Sequence, residues 1–556
     1  MCGIWGLVSL NKQEINEKII QNFYRITHRG PDNSILQKYR NVWIGFHRLS
    51  IIDTSMFSNQ PFIFQKGENT IVFVCNGEIY NYKELIKMYD LKNTNSDCMT
   101  IPLLYLKYDY TTFTELFNKS IKGEYAFMIY EFNKFNNLTH IVVGRDTIGI
   151  RPLYYHPPSI NSTMLMFSSE IKGMNDFPDY VDEFMPGVIQ RFNFDSLRNY
   201  NNVDSYDFKN YLSIRPTLPY KSVEYYLLRV REAVINSVMR RLQSDQPIVF
   251  LVSGGVDSSI VAGSAAKLLG TPIRTFCCGM SEGTDLIYAR KVAKHIGSTH
   301  TEVMFTPQEG LAVIDDVIYT IESWDTTSIR ASVPQYMVCR DVGTKTDAKA
   351  VMIGEGADEV CSSYLFNWYA PNGDELHNAA KEYVGKNHCY DIKRADRCIS
   401  RWGLEGRPSL YDTEFIEAYW SIPAEYRMPT YKGIEKWWLR KAFDGTNIIP
   451  DEVLWRKKEA FSDGVSSKEK SWFEIIQEYI ETLISDEEFA NASKLYTYNT
   501  PTTKEAYYYR KVFCKLFGEN RQTIIPHYWQ PKWNKDGKEI TEYIDPSARV
   551  LKIYSD

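Results

Sequence analysis

Three short stretches carry residue types that chemistry needs. The first is Ser253-Gly254-Gly255-Val256-Asp257-Ser258-Ser259. Its glycines let backbone N–H groups approach an anion closely, and its serines add hydroxyl donors. An acidic residue in an anion cradle makes sense when a cation such as Mg²⁺ shares the site. The stretch therefore reads as a loop for pyrophosphate and metal. It is not a Walker loop, because no Gly-Lys-Ser/Thr follows; the bland alternative is a strand-to-helix turn with incidental serines. The second stretch, Gly354-Glu355-Gly356-Ala357-Asp358-Glu359, sets three carboxylates near the same phosphates. Asp358 with Asp257 makes a metal pair, and Glu355 suits a base or orienter. The third is Met1-Cys2-Gly3. Removal of Met1 leaves a thiol beside its own α-amine, of reference pKa about 7.7–8.0, which is a self-contained nucleophile and base.

Cys2 has company. His28-Arg29-Gly30-Pro31-Asp32, His47-Arg48-Leu49-Ser50-Ile51, Asn76-Gly77-Glu78-Ile79-Tyr80-Asn81 and Asn95-Ser96-Asp97-Cys98 follow in order. The Asn76 amide and the Gly77 N–H suit an oxyanion hole, worth about 3–4 kcal/mol per donor. Arg48 has the planar fork that grips an α-carboxylate, and Glu78 and Asp97 suit an α-ammonium. An amino acid with an amide side chain satisfies them all. The alternative for Asn76-Gly77 is an ordinary hairpin turn. Farther on, Asp325 to Ser332 offers Arg330 and hydroxyls to an amino-acid carboxylate. Trp455 to Gly464 holds a basic cluster with Lys458, which suits a leaving pyrophosphate or is simply a solvated face.

These residues need a scaffold. Ile248–Val252 is an apolar run of strand character, and Ile260–Leu269 reads as a helix stopped by Gly270. Ile273–Gly279 and His300–Phe305 read as strands, Asp285–Ile296 as a helix ended by Gly297, and Pro307–Ile321 as a further helix. Ala350–Ile353 is a short strand before the second acidic loop. This alternation predicts a doubly wound parallel sheet, with ligands at the carboxyl ends of its strands. Thr70–Cys75 is a strand of an earlier, loop-rich β domain. Asn199 to Lys221, with Pro216 and Pro219, reads as a linker. Ser222 then caps a helix with Leu227, Val230, Val234, Val238 and Leu242 on one stripe. The expected division is a first domain over 2–200, a linker over 201–221, a second domain over 222–520 and a tail over 521–556.

Composition sets bounds. The 556 residues carry a net charge of −5, which gives no electrostatic footprint for nucleic acid or membrane. No apolar run is long enough to span a bilayer. The absence of a basic-then-apolar leader argues for a cytoplasmic protein. Ten cysteines without a C-x-x-C pair suit free thiols in a reducing compartment.

The glycine-serine loop resembles the pyrophosphate loop of ATP-pyrophosphatases, which cleave ATP to AMP and pyrophosphate. The first domain resembles the class II glutamine amidotransferases, an N-terminal-nucleophile αββα fold of two stacked sheets between helices. Gly144-Arg145-Asp146, Pro152-Leu153-Tyr154, Ser168-Ser169-Glu170 and Pro186-Gly187 extend that match. Over nearly its whole length, the chain resembles the glutamine-hydrolysing, B-type asparagine synthetase family. The specific marks are Ser328-Ile329-Arg330-Ala331-Ser332, the Gly354–Glu359 motif, Ala370-Pro371-Asn372, Lys458 to Gly464, and Tyr498 to Thr502.

The resemblance implies an α/β protein whose second domain is adenine nucleotide α-hydrolase-like. It implies Cys2 as nucleophile, Asn76 and Gly77 as oxyanion hole, and Arg48, Glu78 and Asp97 around glutamine. It implies ATP on Val252, Ser253, Gly254, Gly255, Asp257, Ser258, Ser259, Cys278, Ile353 and Gly354, with aspartate on Arg330. Asp257 and Asp358 would hold Mg²⁺, and Glu355 and Lys458 would serve the chemistry. The implied reactions are glutamine hydrolysis, β-aspartyl-AMP formation and its conversion to asparagine, in a homodimer. Departures from the family pattern are Met99 for Glu, Ile353 for Ser, Ser363 for Gly before Tyr364, and a displaced proline in Arg407-Pro408-Ser409. Alternatives are a two-domain amidotransferase for another carboxylate and a non-catalytic descendant. β-Lactam synthetase shares the architecture but lacks the nucleophilic Cys.

Overall fold

The computed structural model describes residues 1–9, 17–157, 164–177, 180–196, 199–216, 220–281, 283–458, 464–466 and 470–545. Period-two burial builds its first half. In β1 (Gly3–Ser9), Ile4 and Val8 enter one core while Trp5 and Leu7 enter another. The strands that follow are β2 (Asn33–Tyr39), β3 (Val42–Arg48), β4 (Phe62–Lys66), β5 (Asn69–Ile79), β6 (Gly123–Phe132), β7 (Leu138–Arg145), β8 (Tyr154–His156), β9 (Met164–Ser168), β10 (Asp182–Glu183), β11 (Val188–Ser196) and β12 (Asn199–Asp207). They form two six-stranded sheets, ordered β10-β8-β9-β1-β3-β2 and β12-β11-β7-β6-β5-β4.

The sheets stack through Ile4, Val42 and Ile44 on one and Val72, Val74, Met128 and Val143 on the other. The opposite face of β5 sends Ile71, Phe73 and Cys75 against Leu104 and Phe113 of helices Thr100–Lys107 and Tyr110–Lys119. Beyond the first sheet, Trp5 meets Phe23 of helix Glu17–Tyr24. The layers are helix, sheet, sheet, helix, as expected. Asn76 and Gly77 lie within β5, paired with Ala126 and Tyr125, which excludes the hairpin-turn alternative. One local expectation is corrected. The stretch read as linker opens with β12, which pairs with β11 at the edge of the second sheet. Pro219 lies outside the described residues.

The second half is a parallel sheet of β13 (Ile248–Leu251), β14 (Arg274–Gly279), β15 (Thr299–Met304), β16 (Ala350–Ile353) and β17 (Glu405–Pro408), ordered β15-β14-β13-β16-β17. The chain winds outward from β13 to β15, then resumes on the other side at β16. The switch point lies between β13 and β16, and a ligand crevice opens at their carboxyl ends. Helix Val223–Arg241 is capped by the Ser222 hydroxyl, which accepts from the Tyr225 N–H at 3.2 Å. Helices Val256–Leu269 and Thr284–Ile296 end on Gly270 and Gly297 at φ 64° and 65°. The helix expected over Pro307–Ile321 is two, Pro307–Ala312 and Ile314–Ile321, divided at Val313. The tail packs on this half: Tyr528 and Trp533 are buried, and the Trp529 N–H donates to Asp325 at 2.7 Å.

Buried charges join the halves. Arg29 donates to Glu170 at 2.7 Å and to Asp396 at 2.8 Å, and Lys172 reaches Glu170 at 2.7 Å. Arg151 binds Glu124 at 2.9 Å and donates to the Gly406 carbonyl on β17 at 3.1 Å. Removing one partner from such a network strands the others in a dry interior. Glu170→Ala is therefore expected to cost about 3–5 kcal/mol in urea unfolding; a loss under about 1 kcal/mol would deny the network that role.

Candidate functional site

The start of β1 places Cys2 against the end of β3. The Leu49 N–H approaches the Cys2 sulfur at 3.5 Å, and the Arg29 Nε donates to the Cys2 carbonyl at 3.0 Å. Burial pushes the thiol up to about 11 and lowers the Met1 amine to about 6. That amine lies 3.4 Å from the Leu404 carbonyl and 4.0 Å from Glu405, both in the second half. On β5, both amide atoms of Asn76 are buried without a hydrogen-bond partner. An orphaned buried amide costs about 1–3 kcal/mol per group, which marks a position awaiting a polar ligand. A Cβ at Gly77 would overlap the Glu124 carbonyl, so β6 can pair there only with glycine.

Asp97 accepts from the Ile79 N–H at 2.7 Å, and burial raises its carboxyl to about 6. Burial, then Glu405 and Asp97, raises Glu78. Arg48 clamps a loop, donating to the Ser55 carbonyl and Asn59 Oδ1 at 2.7 Å each and to the Asp53 carbonyl. Part of its fork is thus occupied by the chain itself.

In the second half, the Ser253 loop and the Gly354 loop meet at the switch point. A Cβ on Gly354 would lie 2.6 Å from the Ser258 nitrogen, so glycine permits the contact. A cleft opens there, at the carboxyl ends of β13 and β16. Val252, Ser253, Gly255, Asp257, Ser258, Cys278, Gly354, Glu355 and Asp358 line it. Three expected nucleotide residues do not. The Gly254 turn, at φ 75°, packs on Tyr288, and the Ser259 hydroxyl donates to the Gly255 carbonyl at 2.6 Å. Ile353 points into the hydrophobic core beside Val351. These shape the loop from behind.

Glu355 accepts from Gln335 at 2.9 Å, faces Arg394 at 3.7 Å, and is raised by burial. Lys458 reaches Asp358 at 2.5 Å, and residues 459–463 after it lie outside the described residues. Ser363, where the family pattern has Gly, donates its hydroxyl to Asp358. Burial raises the Asp358 carboxyl, but Lys436 and Lys458 outweigh it and hold it well below the carboxylate range. Asp257 Oδ1 is buried without a hydrogen-bond partner. An acceptor orphaned between carboxylates is the donor set that a hard cation such as Mg²⁺ requires.

Arg330 is corrected. Its guanidinium is doubly paired, with Glu505 at 2.6–2.8 Å and Asp545 at 2.7–2.9 Å, and it does not line the cleft. A fork saturated by two carboxylates has no edge left for a substrate.

The family profile described as Asparagine synthase matches residues 229–385 and 370–541, and the profile described as Glutamine amidotransferase domain matches residues 1–213. Proteins named asparagine synthetase (glutamine-hydrolyzing) from Bos taurus and Homo sapiens are each 35% identical over 580 residues, covering 100% of this chain and 99% of the relative. The chain belongs to the glutamine-hydrolysing asparagine synthetase family. The Gallus gallus member matches at the same identity and coverage.

The sequence reading gave no role to three elements of this asparagine synthetase family site. Lys436 contacts both Asp257 and Asp358. Gln335 and Arg394 line the cleft beside Glu355. Glu405 and Arg407, on β17, reach the first half, where Arg407 lies 3.5 Å from Glu78. A lone lysine and a four-residue strand carry no periodic signal.

Asp97 sets a pH test. Its carboxyl is raised from 3.8 to about 6, so the native state keeps a proton that the unfolded chain has lost. This residue's contribution to stability therefore falls as pH rises from about 4 through 6. Asp97→Asn should melt a few degrees above wild type at pH 7.5, with the gap closing at pH 4.5. A gap independent of pH refutes the assignment.

Proposed function

We propose that this chain makes asparagine from aspartate, ATP and glutamine, with each half performing one partial reaction. One observation carries the proposal: a single chain pairs Cys2 and an orphaned Asn76 amide with a carboxylate-lysine cradle at a parallel-sheet switch point. In the first half, the Cys2 thiolate, with its proton taken by the α-amine freed when Met1 leaves, attacks the glutamine side-chain amide. Asn76 and the Gly77 N–H receive the oxyanion, while Arg48, Glu78 and Asp97 hold the amino-acid end. Ammonia departs, and water releases glutamate from the thioester.

In the second half, ATP lies over the Ser253 loop, its phosphates on the backbone of Ser253, Gly255 and Ser258. The aspartate β-carboxylate attacks the α-phosphorus, pyrophosphate leaves, and β-aspartyl-AMP forms. Asp257 and Asp358 would hold Mg²⁺, which spreads the triphosphate charge when bound. Lys458 steadies the charge that builds during adenylation. Glu355 takes a proton from ammonia as it displaces AMP. Arg394, and not Arg330, is the guanidinium that faces the cleft. Ammonia must cross the interface that β17 forms, and exclusion of water there protects both nucleophile and adenylate. We further infer a homodimer in the cytoplasm. The ten free cysteines suit a reducing compartment, and no helix among the described residues is long and apolar enough to cross a membrane.

Purified protein with ATP, Mg²⁺, aspartate and amide-¹⁵N glutamine should yield labelled asparagine and AMP by mass spectrometry. Cys2→Ala should lose at least a thousandfold of that activity yet keep synthesis from ammonium. Glutamate without asparagine or AMP would overturn the synthetase assignment.

A further inference from the structure

Lys436 is a residue of the second site that the proposed chemistry does not use. It caps the short helix Trp437–Phe443 in left-handed backbone, φ 58° and ψ 26°, a conformation that costs a non-glycine residue about 1–3 kcal/mol. The surroundings impose it. Arg440 donates from Nε to the Glu435 carbonyl at 2.9 Å, from Nη2 to the Glu435 carboxylate at 2.7 Å, and from Nη1 to the Leu454 carbonyl at 2.5 Å. The Glu435 carboxylate also accepts the Lys458 N–H at 3.1 Å. One buried anchor thus positions both lysines. The outcome is that the Lys436 ammonium, its side chain only 3% exposed, touches Asp257 and lies 2.6 Å from Asp358.

This is the place between two carboxylates where a divalent cation would sit. Charge arithmetic then limits what can enter. The two aspartates carry −2, and Lys436 and Lys458, both on Asp358, carry +2, so this four-residue cluster is neutral. A free divalent cation would make it +2 in a partly dry setting, where unit charges 4 Å apart repel by about 4 kcal/mol at an effective dielectric of 20. A triphosphate brings about four negative charges and removes the objection. The cavity on this side, lined by Lys436, Arg456 and Lys458, is where those charges would lie. The Asp257 oxygen without a partner supplies a ligand that Lys436 does not use.

We propose that Lys436 is a resident counter-ion that closes the Asp257–Asp358 pair to free divalent cations, so that the loop takes metal only together with the triphosphate. Lys436 is a positioning residue in this scheme, acting through the two aspartates. The proposal rests on the nucleotide assignment above, and its test separates the two. Mn²⁺ serves as probe, with unbound ion read by electron paramagnetic resonance of the full-length protein, alone and with α,β-methylene-ATP, which cannot release pyrophosphate.

Wild type alone should take up no Mn²⁺ below millimolar concentration, and should take up a specific equivalent when the analogue is present. Lys436→Met and Lys436→Gln should bind Mn²⁺ without nucleotide at least tenfold more tightly than wild type, while Lys436→Arg, which keeps the charge, should not. Stoichiometric Mn²⁺ uptake by nucleotide-free wild type overturns the proposal whether or not the variants fold. So does unchanged Mn²⁺ affinity in a folded Met or Gln variant. Failure of the analogue to bind wild type at all strikes the nucleotide assignment instead.

Discussion

The close approach of two strand ends governs this molecule. β13 and β16 pair in parallel, so the loops that leave them start side by side, and Gly354 lies against the Ser258 backbone with no side chain between. Only because the loops touch do Asp257 and Asp358, far apart in sequence, come to share one ammonium. The chemistry of the second half is thus a consequence of parallel register and one absent Cβ. Gly77 stands in the same relation to the first half, since β6 closes on β5 at the point where the Asn76 amide is left unpaired.

β17 connects these two constraints. Its inner edge extends the sheet of the second half, pairing Ile353 with Pro408 just before the Gly354 loop. Its side chains Glu405 and Arg407 enter the first half, beside the Met1 amine and Glu78. A shift of this strand would be felt at both sites. On this strand Glu405 is held by the buried guanidiniums of Arg151 at 3.7 Å and Arg407 at 2.8 Å, and each pair has value only while both partners are present.

What could be read from sequence was whatever repeats or clusters. The alternation of apolar runs with helices gave away the parallel sheet, and glycines at 270 and 297 marked helix ends correctly because left-handed backbone favours them. The loops and Cys2 were visible as local clusters. β17 was not, because Glu-Gly-Arg-Pro has no strand pattern of its own and is a strand only by position. Lys436 was equally silent, since its meaning lies in two aspartates distant in sequence. Arg330 misled for the opposite reason: its neighbours Glu505 and Asp545, which occupy it, lie far along the chain. Ser259, Gly254 and Ile353 do not line the cleft, a distinction that residue type alone does not carry.

The burial of the N-terminus imposes an order in time. Met1 is 1% exposed, its amine enclosed by Leu404 and Glu405 of the second half. A peptidase needs the first residues free and extended. If Cys2 is to lead the mature chain, Met1 has to be trimmed before the segment around Leu404 docks over it. A molecule that folded to completion untrimmed would bury its own cleavage site and stay immature. Maturation would then depend on a race between docking and processing.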